Sequence, residues 1–480
     1  MNFKLGETVE VLVMETTPIT PSTQKVRRDA VGGKRGDGHR RSRRIRRTDP
    51  RKITVGRTDP TLTAYAGLAP FGAWMRCEGI DHDLRRLFFR LKSGLMVVYP
   101  MEAQLRLLID ASFAGEDRVF GLEGLAADRL VVHLAGGVVP SIDTVYRDLA
   151  RFDDQALTDL EHLMAREGLK SLHGRKFERV HLDVDTTVEP LFGTQEGAVP
   201  GPNPRYHGRP NYHPVLGRIA ETDAIIGALL RPGDTGFGDD ETLLVKTWIA
   251  RARSVVGPDT IVCVRVDAAG DCTALMQGIS AEGAYFVIKA KQDQKLLDAV
   301  GLHTDWKTVD WDPDGPMTQV AEIDFARATW AITEGLDVRV VAVRTRSERG
   351  GRQVFLWQDL EFTTQIFLTN DRDIAADDLA FEYNARAGIE PVIGELKNGW
   401  GLGKVPSQVF DANHAAMLIK LLSYNLMRRY AAATCPPELQ RWRSTWLRRA
   451  LIWTPGRLVR SSRCWSLRLP PRSLLARMLN

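Results

Sequence analysis

The sequence is poor in cysteine. Five are scattered over 480 residues (Cys77, Cys263, Cys272, Cys435 and Cys464), and none forms a CxxC pair. That pattern excludes a disulfide-stapled miniprotein and a zinc ribbon, and it fits a reducing cytoplasm. Long apolar runs are also missing. No stretch of about 18 uncharged apolar residues occurs, so no membrane span is expected. The opening residues, MNFKLGETVEVLVMETTPIT, carry acids where a signal peptide needs an apolar run. A Walker A motif is absent, so no ATP dependence is expected. What remains is an ordinary globular balance, 44% hydrophobic and 26% charged. It can fill about two to four domains.

The net charge of +5 conceals a strong asymmetry. Lys25 to Lys52 holds 13 Lys/Arg against 3 Asp, and Pro436 to Asn480 holds 10 Arg against 1 Glu. The remainder therefore carries −14. Basic ends on an acidic body point to a polyanion held by the ends. In the C-terminal run the arginines alternate with Trp442, Trp446, Trp453 and Trp465.

Along the chain the organisation reads as follows. Residues 1–52 are rich in Gly, Arg and Ser without periodicity, and are expected to be a disordered extension. Residues 53–172 read as helical, from apolar spacing in DHDLRRLFFRLKSG and PMEAQLRLLIDASFAG. Gly136–Gly137 breaks one helix and Ser141 is a good N-cap for the next. On that helix Thr144, Arg147 and Arg151 form one stripe and Val145, Leu149 and Phe152 another. The polar stripe suits the solvated face of a bundle helix, or else a helix-turn-helix on DNA. At residue 173 the character changes. KFERVHLDVDTTV alternates like a strand, PVLGRIAE and AIIGALLR make a hairpin, DDETLLVKTWIARARSVVG is a helix, and IVCVRVD is a buried strand. A first core segment is thus expected over 173–290. An inserted β region follows over 291–365, and a second core segment with a helix over 366–430. A basic, helical tail is expected over 431–480.

Three acids fall where chemistry could sit. Asp183 and Asp185 lie two apart on the first strand and so share a face. Asp267 ends the buried strand. An unpaired carboxylate is costly inside a sheet, so one at a strand end is a site candidate. Strand, hairpin, helix, then strand ending in Asp is the order of a ribonuclease-H-like sheet, whose central strands bring two carboxylates together. Two close carboxylates repel unless a divalent cation lies between them. Near residue 390, Tyr383, Arg386, Glu390 and Lys397 fall within about 60° of one another on a helix that Gly388 weakens, opposite Phe381, Ile389, Val392 and Leu396. Glu390 would ligate a hard cation, and Arg386 and Lys397 would clamp phosphate. Pro391 should kink that helix. His207, Arg209 and His213 form a weaker metal candidate.

The spacing Y-x2-R-x3-E-x6-K, with DTT on an early strand and a strand-end Asp between, resembles the DDE transposases of the IS4-like superfamily. Within it, LDVDTTVEPLFGTQEGAVPGPNPRYHGRPNYHP and YNARAGIEPVIGELKNGWG resemble the IS1380 family. The resemblance covers roughly residues 55–465. It implies an α/β, ribonuclease-H-like catalytic core with an inserted β-strand region, preceded by an all-helical DNA-binding domain. Asp185, Asp267 and Glu390 would be the catalytic, metal-binding triad. Asp185 is preferred to Asp183 because the family's Asp directly precedes Thr. Tyr383, Arg386 and Lys397 would contact DNA ends. After the second Asp the family's Ser-Gly-aromatic run is replaced by Ala268-Ala269-Gly270, and Asp271 competes with Asp267.

The same resemblance implies two Mg²⁺ ions, with Mn²⁺ as substitute, and cut-and-paste transposition through hairpin ends. Trp330 or Trp357 would stack a flipped base. The partners would be double-stranded DNA, as terminal inverted repeats and target, bound by a homodimer in a bacterial cytoplasm on the nucleoid. A catalytically inactive, transposase-derived DNA-binding protein is the alternative. A glycosidase using paired carboxylates is disfavoured by the basic termini and the cations flanking Glu390.

Overall fold

The computed structural model describes residues 56, 59–201, 207–311, 317–346, 362–462 and 464–479. The expected extension over residues 1–52, and Trp357, lie outside the described residues.

The centre of the fold is one large sheet. Its strands are β1 (Arg179–Thr186), β2 (Val215–Ile219), β3 (Ala224–Leu229), β4 (Ile261–Val266), β5 (Tyr285–Lys289), β6 (Lys307–Trp311), β7 (Met317–Ile323), β8 (Arg339–Arg346) and β9 (Phe362–Thr369). Their order across the sheet is β6-β7-β8-β9-β5-β4-β1-β2-β3. β4 runs parallel to both β1 and β5, whereas the β1–β2–β3 ribbon is antiparallel. The expected inserted β region is therefore an antiparallel extension of the same sheet, joined through β9 to β5.

Helices cover both faces. They include α1 (Met101–Ala114), α2 (Ile142–Leu149), α3 (Asp154–Leu169), α4 (Asp239–Val256), α5 (Thr273–Ala281), α6 (Ala376–Asn384), α7 (Ile389–Gly399), α8 (Phe410–Thr434) and α9 (Ser444–Leu451). Alternation sets the two faces of β1. Val180, Leu182 and Val184 pack with Trp248 and Ile249 of α4, and with Leu275 and Ile279 of α5. His181, Asp183 and Asp185 face the other way, toward α6 and α7. Trp248 fits under the β2–β3 ribbon because Gly217 and Gly227 pair directly across it. A Cβ on Gly227 would lie 2.0 Å from the indole.

Two local readings hold in detail. Ser141 caps α2, its Oγ accepting from the Thr144 N–H at 3.4 Å, and Val145, Leu149 and Phe152 are buried. α4 begins with Asp239, Asp240 and Glu241 and has Arg253 in its last turn, matching the helix dipole. Two others need correction. The helices of residues 53–172 have no core of their own. Leu105, Phe113, Leu149 and Leu160 share one cluster with Leu396 of α7 and with the whole length of α8. Nor is the segment 431–480 all helical. After α9 it forms a hairpin, Gly456–Ser461 with Cys464–Arg468, and the first strand pairs with Leu62–Thr63 from the start of the described chain.

Candidate active site

The parallel pair β1–β4 carries a polar ladder on the face toward α6 and α7. In register, His181 opposes Cys263, Asp183 opposes Arg265, and Val184 opposes Val266 as the last pair. Asp185 and Asp267 are the next residues. They stand side by side at the C-terminal ends of two strands that lie about 4.8 Å apart. Asp185 Oδ1 accepts from the Thr186 N–H at 2.9 Å, and Asp267 Oδ1 accepts from the Ala269 N–H at 2.9 Å. One rung inside, Asp183 has no solvent exposure. Arg218 Nη1 and Arg265 Nε each donate to it at 2.6 Å. Two guanidiniums consume that carboxylate, so Asp183 is a structural ion-pair centre. Asp271 is likewise taken, by the Lys291 N–H at 2.6 Å and Arg327 Nη1 at 2.5 Å.

The segment after β9 is not one helix. α6 ends at Asn384, a tight turn spans Ala385–Gly388, and α7 starts at Ile389. Pro391 thus falls in the first turn of α7, where its missing N–H costs no helical bond. The tighter 3-10 turn keeps the chain right-handed helical, and Tyr383, Arg386 and Glu390 all lie near Asp185 with different exposure. Tyr383 and Arg386 turn inward and are buried, Glu390 is exposed, and Lys397 is half-buried. The Tyr383 ring packs on Phe367 with centroids 4.7 Å apart. Lys397 Nζ donates to the Val188 carbonyl at 2.8 Å and pairs with Glu189 at 3.2 Å. Phe381, expected on the packed side, is exposed instead, whereas Ile389, Val392 and Leu396 are buried as expected.

Arg386 Nη2 lies 2.7 Å from Asp185 Oδ1. Its Nε is buried without a hydrogen-bond partner. Burial pushes the Asp185 carboxyl up to about 6, against the pull of Arg386; the charges of Asp267 and Glu390 add to the rise. Burial also raises the Tyr383 phenol, within range of Arg386 and both aspartates. A buried Asp185 that feels the charges of Asp267 and Glu390, in a set with hard oxygen donors only, fits a divalent cation. The three carboxylates are not drawn tightly together. Among the described residues, the three-residue cluster with ligand atoms within 4.8 Å is His181, Cys263 and Glu382.

A family profile described as "Transposase DDE domain group 1" matches residues 46–480, nearly the whole chain. The chain belongs to the DDE transposase family. No curated protein matches it. Among solved structures, a piggyBac transposase synaptic complex with hairpin DNA is similar at 10% identity. The match covers 81% of this chain and 79% of that one, with a TM-score of 0.40.

Elsewhere in the transposase, Arg147 and Arg151 are exposed on and just after α2. Arg147 Nε donates to the Asp143 carbonyl, and Arg151 Nε to the buried Asp148 at 3.1 Å. Among the described residues, His207 and His213 belong to no three-residue cluster of His, Cys, Asp or Glu ligand atoms. His207 is exposed, and His213 Nδ1 lies 3.0 Å from the Thr235 carbonyl. Trp330 is buried and packs against Phe325 and Arg327, so it offers no face to a flipped base. The GTQEG–NYHP block has a physical role. Glu196 accepts from the Phe410 N–H at 3.0 Å at the start of α8, and Tyr212 Oη donates to the Glu196 carbonyl.

One feature of the transposase was only half visible in its sequence. A groove of about 810 Å³ opens between α7 and the C-terminal segment. Its walls include Pro391, Gly394 and Asn398 of α7, and Trp442, Trp446 and Arg449 from the C-terminal segment. The alternation of Arg and Trp signalled the second wall. Nothing local signalled that α9 packs on α7. There Glu395 accepts from Ser444 Oγ at 2.6 Å and from the Thr445 N–H at 2.8 Å.

No helix among the described residues is long and apolar enough to cross a membrane.

Proposed function

We propose that this transposase, as a member of the IS1380 type, cuts DNA at insertion-sequence ends. The freed ends are then joined to target DNA, cut-and-paste through hairpin ends. Asp185, Asp267 and Glu390 would hold two Mg²⁺ ions, with Mn²⁺ as substitute. The observation that carries this reading is the side-by-side placement of Asp185 and Asp267 at two parallel strand ends, with Glu390 exposed on the helix beside them. Strand order β3-β2-β1-β4-β5 supports a ribonuclease-H-like core with β6 to β9 as its insertion. Bound ions would activate the attacking hydroxyl and stabilise the leaving 3′ oxygen of an in-line displacement.

The chain's own groups do the positioning. Asp185 and Asp267 are each held at a strand end by a backbone N–H on Oδ1, which leaves the other oxygen for a ligand. Arg386 exchanges Asp185 for a backbone phosphate of the bound end, using the N–H groups it now leaves unpaired. Tyr383 and Lys397 flank that phosphate path. The Trp/Arg groove accepts the strand running past Glu390, and the basic edge at Arg147 and Arg151 contacts the duplex further out. Two chains on DNA, one per end, form the working unit on the bacterial nucleoid.

A catalytically inactive DNA-binding relative is the second reading. The observation that favours it is Arg386 at Asp185, where a cation would sit. Cleavage of a labelled duplex carrying the element's own terminal repeat separates the two. Nicking at the end in Mg²⁺ or Mn²⁺, lost in EDTA and in Glu390→Gln, supports the enzyme. End binding without cleavage in either metal supports the inactive relative.

A further inference from the structure

Two rungs along the same ladder, about 13 Å from the strand-end carboxylates, lies a cluster of different chemistry. His181 and Cys263 face each other on β1 and β4, and Glu382 reaches them from α6. One donor atom from each, a nitrogen, a sulfur and an oxygen, lies within 4.8 Å of the others. We propose that His181, Cys263 and Glu382 form a second metal site, for one zinc-type cation, that ties two central strands to the helix preceding the catalytic one.

The donor set argues for that class of ion. Thiolate and imidazole select zinc over magnesium, whereas the strand-end carboxylates offer oxygen alone. A tetrahedral zinc with bonds of about 2.0–2.3 Å spaces its ligand atoms roughly 3.3–3.8 Å apart. His181 Nε2 and Glu382 Oε1 are now 3.2 Å apart. Small side-chain adjustments reach the tetrahedron. The outer partner is also in place. Glu221 Oε1 lies 2.7 Å from His181 Nδ1. A carboxylate there keeps the proton on Nδ1 and leaves Nε2 for the metal, as in carboxylate–histidine–zinc arrangements.

Charge balance permits the exchange. Without metal, His181 contacts a carboxylate at each ring nitrogen, which requires both to carry protons. The Cys263 thiol keeps its own proton. Binding one Zn²⁺ releases the Nε2 proton and the thiol proton, so net charge is unchanged. Arg179, which pairs with Glu382 at 3.0 Å and with Asp371 at 2.7 Å, sees the same field before and after. Cys263 is buried, while His181 and Glu382 are part-exposed and give the ion an entry edge.

The test uses the full-length protein, stripped with a chelator and then titrated with Zn²⁺ or Co²⁺ in excess Mg²⁺. The expected result is about one zinc retained per chain after gel filtration. With Co²⁺, a thiolate-to-cobalt charge-transfer band should appear in the near ultraviolet, which carboxylates alone do not give. Cys263→Ser should lose that band although the other four cysteines remain. His181→Gln should lose retained zinc. Wild-type protein that retains no zinc and shows no band overturns the proposal, as does a band that survives Cys263→Ser. The wild-type result decides the matter even if a variant fails to fold.

Discussion

Arg386 Nη2 sits 2.7 Å from Asp185 Oδ1, and both side chains are nearly buried. Each charge depends on the other, so neither single substitution isolates a catalytic role. Arg386→Met leaves a buried carboxylate unpaired, and Asp185→Asn leaves a buried guanidinium unpaired. Removing one partner of a buried pair costs about 3–5 kcal/mol, while removing both is far cheaper. A double-mutant cycle in metal-free buffer should therefore show a coupling of about 2–3 kcal/mol. Urea denaturation of the four proteins measures it. Additivity within about 0.5 kcal/mol would show the contact to be energetically idle.

Glu390 and Asp183 should behave oppositely. Glu390 is exposed and has neither hydrogen bond nor ion pair among the described residues. Glu390→Gln should leave stability within about 0.5 kcal/mol of wild type while end cleavage is lost. Asp183→Asn removes the charge between Arg218 and Arg265 and should cost about 3–5 kcal/mol. Denaturation midpoints and cleavage rates on the same preparations check both. A stable Asp183→Asn protein without cleavage would move Asp183 into the site.

Much of this was legible locally. Strand alternation and a strand-terminal position picked out Asp185 and Asp267, a capping serine marked α2, and charges matched to the helix dipole marked α4. The choice between Asp183 and Asp185 was not, because both lie on one face. What separates them is the register that sets Arg218 and Arg265 beside Asp183, from 35 and 82 residues away. The burial of Tyr383 and Arg386 was not legible, because it depends on the strand-end carboxylates they face and on the 3-10 stretch at Ala385–Gly388 that tightens the helix there. The C-terminal hairpin was hidden by composition. Arg-rich segments suit helix and edge strand alike, and the hairpin's strand partner, Leu62–Thr63, lies at the other end of the described chain.

Lys420 supplies a pH test away from the carboxylates. Its Nζ donates to the carbonyls of Gly401 at 2.5 Å and Lys404 at 2.9 Å, and burial lowers its pKa to about 8. Unfolded lysine titrates near 10.4. A depressed folded pKa means that this contribution to stability is complete above about 10.4 and is lost as pH falls through about 8. Wild type should thus gain up to about 3 kcal/mol relative to Lys420→Met between pH 7 and 10.5. A stability difference that stays flat over that range would show the ammonium to be well solvated.

The groove between α7 and the C-terminal segment makes the sharpest claim about DNA. Trp446 is 65% exposed, and Trp442 and Trp453 are also exposed near it. Exposed tryptophans interleaved with arginines suit unpaired bases, since every base has a face to stack while guanidiniums neutralise phosphates. Stacking contributes about 1–3 kcal/mol per base. Trp446→Ala should therefore weaken binding of a terminal-repeat duplex with a single-stranded flank by about 5–150-fold, and should barely affect the blunt duplex. Arg449→Ala should lower the salt dependence of both, by about one phosphate contact. Fluorescence anisotropy across a salt series reads each effect. Equal losses on flanked and blunt DNA for Trp446→Ala would mean that the groove holds duplex backbone, and that the strand passing Glu390 takes another route.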